Sequence, residues 1–306
     1  MLKIGAFTIF FLFQLVIIYC SESALLDYSE ADWSTQCLGK RQSPINFPSS
    51  SDGNDTYLPV NNTKILFNTY TLVTGVNMYQ ALHDAKFAFK QYYMGDLFFQ
   101  KNGYFYKYNL KEIHFHAPSE HTINGTSFDF EMHMVHFKDT SFFNYANGNY
   151  SVDPDSQQQI LVVGILFTKY DNKTNLNSNV NNTFIQSLKM WNPSAVVDNF
   201  TLNDFVRSDK FFLHYEGSLT TPACNETVNW VVMTQLEKIS TPQLTDFTNL
   251  LKSKGYSATN RQTKPLNGRK IYYNDYSTFS PIVLKSNSYF LTSSLFMTIF
   301  FYVLFF

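Results

Sequence analysis

A mainly β domain follows from three features of this 306-residue chain. Segments alternating apolar with polar residues are frequent, they are rich in Val, Ile, Phe, Tyr and Thr, and helical patterns are few and short. In chain order the alternating segments are Lys64–Phe67, Lys86–Phe89, Asp96–Gln100, Glu112–His116, Phe128–Phe137, Ile160–Phe167, Lys210–Tyr215 and Thr227–Met233. Gly, Asn, Asp or Pro breaks each from the next, as residues that turn a chain between strands do. Two segments carry helical spacing instead, Asn182–Met190 and Thr241–Leu251, the second with Pro242 in its first turn. The polar, Asn-rich stretches Asp139–Gln159 and Asp171–Asn182 read as surface loops. With no internal repeat and no long linker, residues 24–285 form one domain, large enough to bury a substantial core.

Charge excludes one class of partner. Lys and Arg number 23 against 24 Asp and Glu, a net charge of −1, which gives no electrostatic reason to expect nucleic acid. Nothing in the sequence points to a specific protein partner. The two ends are different in kind from the domain between them. Residues 1–23 carry Lys3, an apolar run from Ile4 to Ile18 interrupted by Thr8 and Gln14, and small residues at Ser21 and Ser23. This is the layout of a secretory signal peptide; the alternative is a membrane-anchoring first helix, for which the run is short. At the other end Tyr289 to Phe306 is 18 uncharged residues, preceded by Ser286, Asn287 and Ser288. Residues 286–306 are similar to a GPI-attachment signal, with an uncleaved tail anchor as the alternative. Either predicts passage through the secretory pathway and tethering at the extracellular face of a membrane.

Cysteine usage agrees with export. Cys20 leaves with the signal, so the mature chain keeps Cys37 and Cys224. Two cysteines in an oxidising compartment suggest one disulfide closing most of the domain. Eight N-x-S/T sequons, at Asn54, Asn61, Asn124, Asn149, Asn172, Asn181, Asn199 and Asn225, are compatible with a glycoprotein, although the Asn and Ser/Thr content explains most of them.

Five of the seven histidines fall within 23 residues: His114, His116, His121, His133 and His136. On a strand, residues two apart share a face, so His114 and His116 project together, as do Glu131 and His133 on the following segment. A hairpin through Asn124-Gly125 sets the two segments antiparallel. Two imidazoles from one strand and one from its neighbour then meet a single ion and leave a position open, the layout of a catalytic zinc site. Imidazole favours zinc and its transition-metal neighbours over hard, oxygen-seeking ions. Glu112, Glu120 and Glu131 lie close by, and metal-bound histidines donate their second N–H to such groups. Spacing alone does not separate ligands from supporting residues. H-x-H-x3-E followed by Gly is also similar to a first cupin motif, but no second cupin motif follows.

At these residues the chain resembles the α-class carbonic anhydrases, from roughly Tyr28 to Tyr272. Five pieces occur in order: Gln42-Ser-Pro-Ile-Asn46; His114-Phe-His116 with Ser119-Glu120-His121-Thr122; Glu131-Met-His133-Met-Val-His136; Gly217-Ser-Leu-Thr-Thr-Pro222; and Pro265-Leu-Asn-Gly-Arg269. The resemblance implies a large, mostly antiparallel twisted sheet of about ten strands with short peripheral helices, and a Cys37–Cys224 disulfide. It implies reversible hydration of CO2 to bicarbonate and a proton by a zinc-bound hydroxide, with zinc on His114, His116 and His133. Glu131 would hold His133, Thr220 would orient the hydroxide and pass its own proton's hydrogen bond to Glu120, and Thr221 would back the same wall. Val135, Val162, Leu219, Val228 and Trp230 would line the apolar half of the pocket, while His121, His136 and Tyr215 match buried structural positions. His83, 13 residues after Tyr70, matches the family's proton-shuttle histidine, and an imidazole with a pKa near 6.5 suits that task.

Some positions depart from the family. Glu112 stands where most members have Gln beside the first ligand, and a carboxylate there is expected to make that imidazole a stronger donor and to raise the pKa of the bound water. Ala81 and Lys86 replace polar residues around His83, predicting slower or rerouted proton export. Two other functions are compatible with the fold, a non-catalytic cell-surface binding protein and a zinc esterase. The first is expected to lack a zinc ligand, and all three are present here.

Overall fold

The structure is a computed structural model and describes residues 26–48, 56–59, 63–71, 76–80, 87–89, 93–145, 155–170, 196–197, 202–203, 205–206 and 211–274. The expected signal peptide at 1–23, the tail at 286–306, His83 and the helix at 182–190 lie outside these residues. Fifteen strands are described: β1 (Asn46–Phe47), β2 (Tyr57–Pro59), β3 (Lys64–Asn68), β4 (Val76–Gln80), β5 (Phe87–Phe89), β6 (Asp96–Lys101), β7 (Tyr104–His116), β8 (Thr122–Ile123), β9 (Thr126–Ser127), β10 (Phe130–Tyr145), β11 (Ile160–Tyr170), β12 (Val196–Val197), β13 (Phe212–Gly217), β14 (Val228–Ser240) and β15 (Ile271–Tyr273). Every alternating segment singled out in the sequence overlaps a strand.

Among the described residues, twelve strands form one sheet in the order β12-β4-β5-β7-β10-β11-β14-β13-β15-β2, with β6 paired to β7 and β3 to β6. Neighbours are antiparallel except β11–β14 and β15–β2. The sheet is thus mostly antiparallel, as expected. β1, β8 and β9 make a small second sheet. The turn Asn124-Gly125, with φ of 51° and 73°, joins β8 to β9. It therefore lies in a side sheet and is not itself the connection between the two histidine strands, although β7 and β10 do pair antiparallel. The one α-helix among the described residues, α1 (Thr241–Ser253), begins at a capping box of Ser240 and Gln243 with Pro in its first turn, and buries Phe247 and Leu251.

The period of two on the central strands divides their side chains between two cores. Ile113 and Phe115 of β7, Met132 and Met134 of β10, Leu161, Val163 and Ile165 of β11, and Val231 and Met233 of β14 pack on one face with α1. Val135, Val162, Leu166, Val228, Trp230 and Val232 lie on the other, with Leu213 and Tyr215 of β13 and Phe47. The expected disulfide Cys37–Cys224 is present, and it ties the N-terminal segment to the turn before β14 across a sequence separation of 187.

Part of the stretch read as a surface loop is structured and buried. β10 continues to Tyr145 after a register shift between Lys138 and Phe143. Asp155 is 9% exposed and accepts from Lys101 Nζ at 2.8 Å. The same ammonium reaches Glu216 Oε1 at 2.8 Å and Asn229 Oδ1 at 3.0 Å. Burial alone would raise the Glu216 carboxyl, but the Lys101 charge and hydrogen bond bring it below its ordinary value.

Two buried histidines make stability depend on pH. Burial, with the Lys101 ammonium second, pushes His214 down to about 3, and burial pushes His136 down to about 4. An unfolded histidine protonates near pH 6.5, so below that pH the unfolded chain binds more protons than the folded one. The stability held by His214 is full above about pH 6.5 and is lost as pH falls toward its folded value of about 3. His214→Asn is expected to remove about 3 kcal/mol of the stability change between pH 7 and pH 4. Urea unfolding of metal-free wild type and variant measures it, and parallel pH curves would contradict it.

Candidate metal centre

The centre is a patch of one sheet face. Glu112, His114 and His116 follow one another at every second position of β7. Across from them on β10 stand Val135, His133 and Glu131, in the register Glu112 to Val135, His114 to His133 and His116 to Glu131. One strand further, His133 faces Gly164 and Val135 faces Val162. Gly164 leaves room for the Glu131 carboxylate, since a Cβ there would lie 3.0 Å from Glu131 Oε1, a tight contact, and 3.5 Å from Val232 Cγ2. His136, after the bulge beyond Val135, turns to the opposite face and meets the Tyr70 hydroxyl at 2.8 Å. That placement removes it from the ligand set.

One ring nitrogen from each of His114, His116 and His133 lies within 4.8 Å of the other two. The outer nitrogens of His133 and His116 are hydrogen-bonded elsewhere, which leaves the inner ones with a lone pair, and the outer nitrogen of His114 lies beside a carboxylate. His133 Nε2–H donates to Glu131 Oε1 at 2.8 Å, so Nδ1 points inward. His116 Nδ1–H donates to the carbonyl of Thr259, and its Nε2, fully buried, has no hydrogen-bond partner. His114 Nδ1 sits 2.8 Å from Glu112 Oε1, and its Nε2 is 3.2 Å from His133 Nδ1. His121, Glu131 and His133 also bring one ligand atom each within 4.8 Å of one another. There, however, the atoms are engaged with one another, because His121 Nδ1–H donates to the same Glu131 Oε1 at 2.7 Å.

Burial keeps protons off two of the three converging rings. Burial, then the neighbouring His133 and His114, hold His116 well below its ordinary value. Burial, against the pull of Glu131, holds His133 at about 4. Glu131 is raised by burial but brought well below the carboxylate range by His121 and His133. A buried cluster of three imidazoles, of which His116 and His133 are held neutral by burial, suits a divalent transition metal. The residues present therefore fit zinc.

Of the other expected residues, Glu120 and Trp230 border this cluster. Glu120 is 1% exposed; its Oε1 accepts the Arg261 backbone N–H at 3.0 Å, and its Oε2 lies 3.6 Å from His116 Nε2 and 3.9 Å from His133 Nδ1. Val135, Val162, Val228 and Trp230 share one apolar cluster, with Leu219 packed against it. Trp230 lies edge-on to His133, ring centroids 4.8 Å apart. Thr220 and Thr221 are both buried in the turn after β13. That turn begins at Gly217, where a Cβ would fall 2.1 Å from Ser43 Oγ, so only glycine lets the Gln42-Ser-Pro segment approach. His121 Nε2 meets the Tyr215 hydroxyl at 2.7 Å, and that hydroxyl is 2.9 Å from Ser43 Oγ. His83 lies outside the described residues. Sequence reasoning missed Thr259 and Arg261, which act on the site through backbone atoms, and Gly164, whose contribution is missing volume.

Comparison with known proteins agrees with this geometry. The model of the eukaryotic-type carbonic anhydrase family matches residues 28–275. The chain belongs to that family. It is 28% identical to alpha carbonic anhydrase 3 of Arabidopsis thaliana over 252 residues, which cover 82% of this chain and 80% of that protein. It is 29% identical to a carbonic anhydrase of Klebsiella pneumoniae over 170 residues, 53% of this chain and 56% of that one. The alpha-carbonic anhydrase of Thermovibrio ammonificans, solved with sulfanilamide, superposes with a TM-score of 0.56 at 26% identity, covering 78% of this chain and 91% of that one.

The two carboxylates behind the histidines make separable contributions. Glu131→Gln is expected to weaken zinc binding about 10–100-fold, because an amide cannot accept every donor that converges on that carboxylate. Glu112→Gln keeps an acceptor beside His114 and is expected to weaken it by a smaller factor. Competition with a chromophoric chelator measures both, and a wild-type affinity for Glu131→Gln would contradict the assignment.

Proposed function

We propose that the chain catalyses the reversible hydration of CO2 to bicarbonate and a proton, with zinc held by His114 Nε2, His116 Nε2 and His133 Nδ1. The observation that carries this reading is the convergence of three ring nitrogens, with the outer nitrogens of His116 and His133 hydrogen-bonded and that of His114 beside the Glu112 carboxylate. Bound there, zinc would supply a Lewis acid that lowers the pKa of a coordinated water, to about 7 in carbonic anhydrases generally. Thr220 accepts a hydrogen bond from the nucleophilic oxygen and donates its own hydroxyl hydrogen bond to the Glu120 carboxyl. Support for that relay comes from the burial of both side chains and from the Arg261 N–H that fixes Glu120. Val135, Val162, Val228, Trp230 and Leu219 hold CO2 by apolar contact and exclude water, and Thr221 backs the same wall. His83 takes the released proton to bulk buffer.

The same reading places the enzyme in the secretory pathway and at the outer face of a membrane. Its support is the pattern of residues 1–23 and 286–306 together with the Cys37–Cys224 bond, a kind that persists in oxidising compartments.

Stopped-flow CO2 hydration by the purified chain, before and after zinc removal, tests the activity. Fast hydration that is lost with zinc and restored by it is expected, with His83→Ala slower only in weak buffer and rescued by added imidazole. A folded, zinc-loaded chain that does not hydrate CO2 would overturn the proposal.

A further inference from the structure

Arg261 is fully buried and far in sequence from every expected ligand. Its guanidinium is gathered by the N-terminal segment. Nε–H donates to Glu30 Oε2 at 2.9 Å, one terminal nitrogen to Gln42 Oε1 and the Ser43 carbonyl, both at 2.8 Å, and the other to the Cys37 carbonyl at 2.9 Å. The guanidinium carbon sits 4.9 Å from the Trp33 ring centroid. A planar fork with so many fixed acceptors leaves its own backbone little freedom.

That backbone is what the metal centre touches. The Arg261 N–H donates to Glu120 Oε1 at 3.0 Å. Two residues earlier, the Thr259 carbonyl accepts from His116 Nδ1, and Thr259 is clamped to the end of β7 from both sides. Ala117 N–H donates to Thr259 Oγ1 at 3.2 Å, and Thr259 N–H donates to the Ala117 carbonyl at 3.1 Å. The acceptors of the fork reach the third part of the site as well, since Ser218 N–H donates to Ser43 Oγ at 3.0 Å and Ser43 N–H to Ser218 Oγ at 2.9 Å, in the turn that carries Thr220. Gln42 Nε2 donates to the carbonyl of Cys224 at 3.2 Å, beyond that turn and at the disulfide.

We propose that Arg261 is a positioning residue that sets the metal affinity of the centre from outside it. It does so by fixing the 259–261 backbone on His116 and Glu120, with Glu30 as its ionic anchor. The segment from Glu30 to Ser43 is then part of the metal site in effect, although none of its side chains is a ligand. This rests on the zinc reading above.

Zinc affinity of the full chain, measured by chelator competition on wild type, Arg261→Lys and Glu30→Gln, tests it. The absorption spectrum of the cobalt-substituted proteins reports the ligand field alongside. Ile239→Val, a substitution in the core on the opposite face of the sheet, controls for loss of stability alone. Arg261→Lys keeps the charge but loses the fork, and is expected to bind zinc about 10–100-fold more weakly with an altered cobalt spectrum. Glu30→Gln should move both readouts in the same direction by less, while Ile239→Val moves neither. Should Arg261→Lys fail to fold, Glu30→Gln decides by the same criterion. Wild-type zinc affinity and an unchanged cobalt spectrum in the folded variants would overturn the role of Arg261. Failure of the wild-type chain to bind zinc would instead overturn the metal reading on which it rests.

Discussion

A carboxylate with no exposed surface holds the centre together. Glu131 accepts the backbone N–H groups of Glu120 and His121 on Oε2, both at 2.8 Å, and the ring nitrogens of His121 and His133 on Oε1. Burying an ionised group is costly unless its oxygens are filled, and here both are. The same four contacts fix the tautomer of His133, the start of the segment carrying Glu120, and the orientation of His121. Gly164 on β11 is the consequence in the neighbouring strand, because any Cβ there would crowd Oε1.

The sheet supplies the precision and the segments around it supply the coordination. Residues two apart on β7 and β10 deliver three imidazoles to one face, while the alternate residues fill the opposite core and lock the strands in register. The Gln42-Ser-Pro segment and the Gly217-Ser-Leu-Thr-Thr-Pro turn are each other's template. Ser43 bonds Ser218 in both directions, and Gly217 leaves the space for them to meet. Such coupling explains why short motifs far apart in the chain occur together: each supplies donors, acceptors or space that the other requires.

Much of this was legible in the sequence, and the omissions have physical causes. Alternating strands with apolar partners on one face were readable because burial imposes the period. The first half of β7 was not, since Tyr106 and Tyr108 alternate with Lys107 and Asn109 and every one of these side chains carries a polar group, although both tyrosines are buried. β10 outruns its apolar stretch because its polar continuation still pairs with β7. The strands β2, β12 and β15 are two or three residues long and exist only through pairing. Asp155 is buried because Lys101 reaches it, a contact between residues 54 apart. At the site, the period of two and the motif order supplied His114, His116 and His133. The choice of nitrogen on each ring could not be read, because it is set by the partner of the other nitrogen. For His116 that partner is a backbone carbonyl 143 residues away, and a carbonyl carries no residue identity.

Zinc K-edge X-ray absorption on the zinc-loaded chain addresses the central claim most directly. A first shell containing three nitrogens at about 2.0–2.1 Å, with the outer-shell scattering of three imidazoles, is the predicted result, and it should drop to two imidazoles in His116→Ala. A first shell dominated by carboxylate oxygen, or a spectrum unchanged by His116→Ala, would contradict the assignment of His114, His116 and His133 as the metal-binding set.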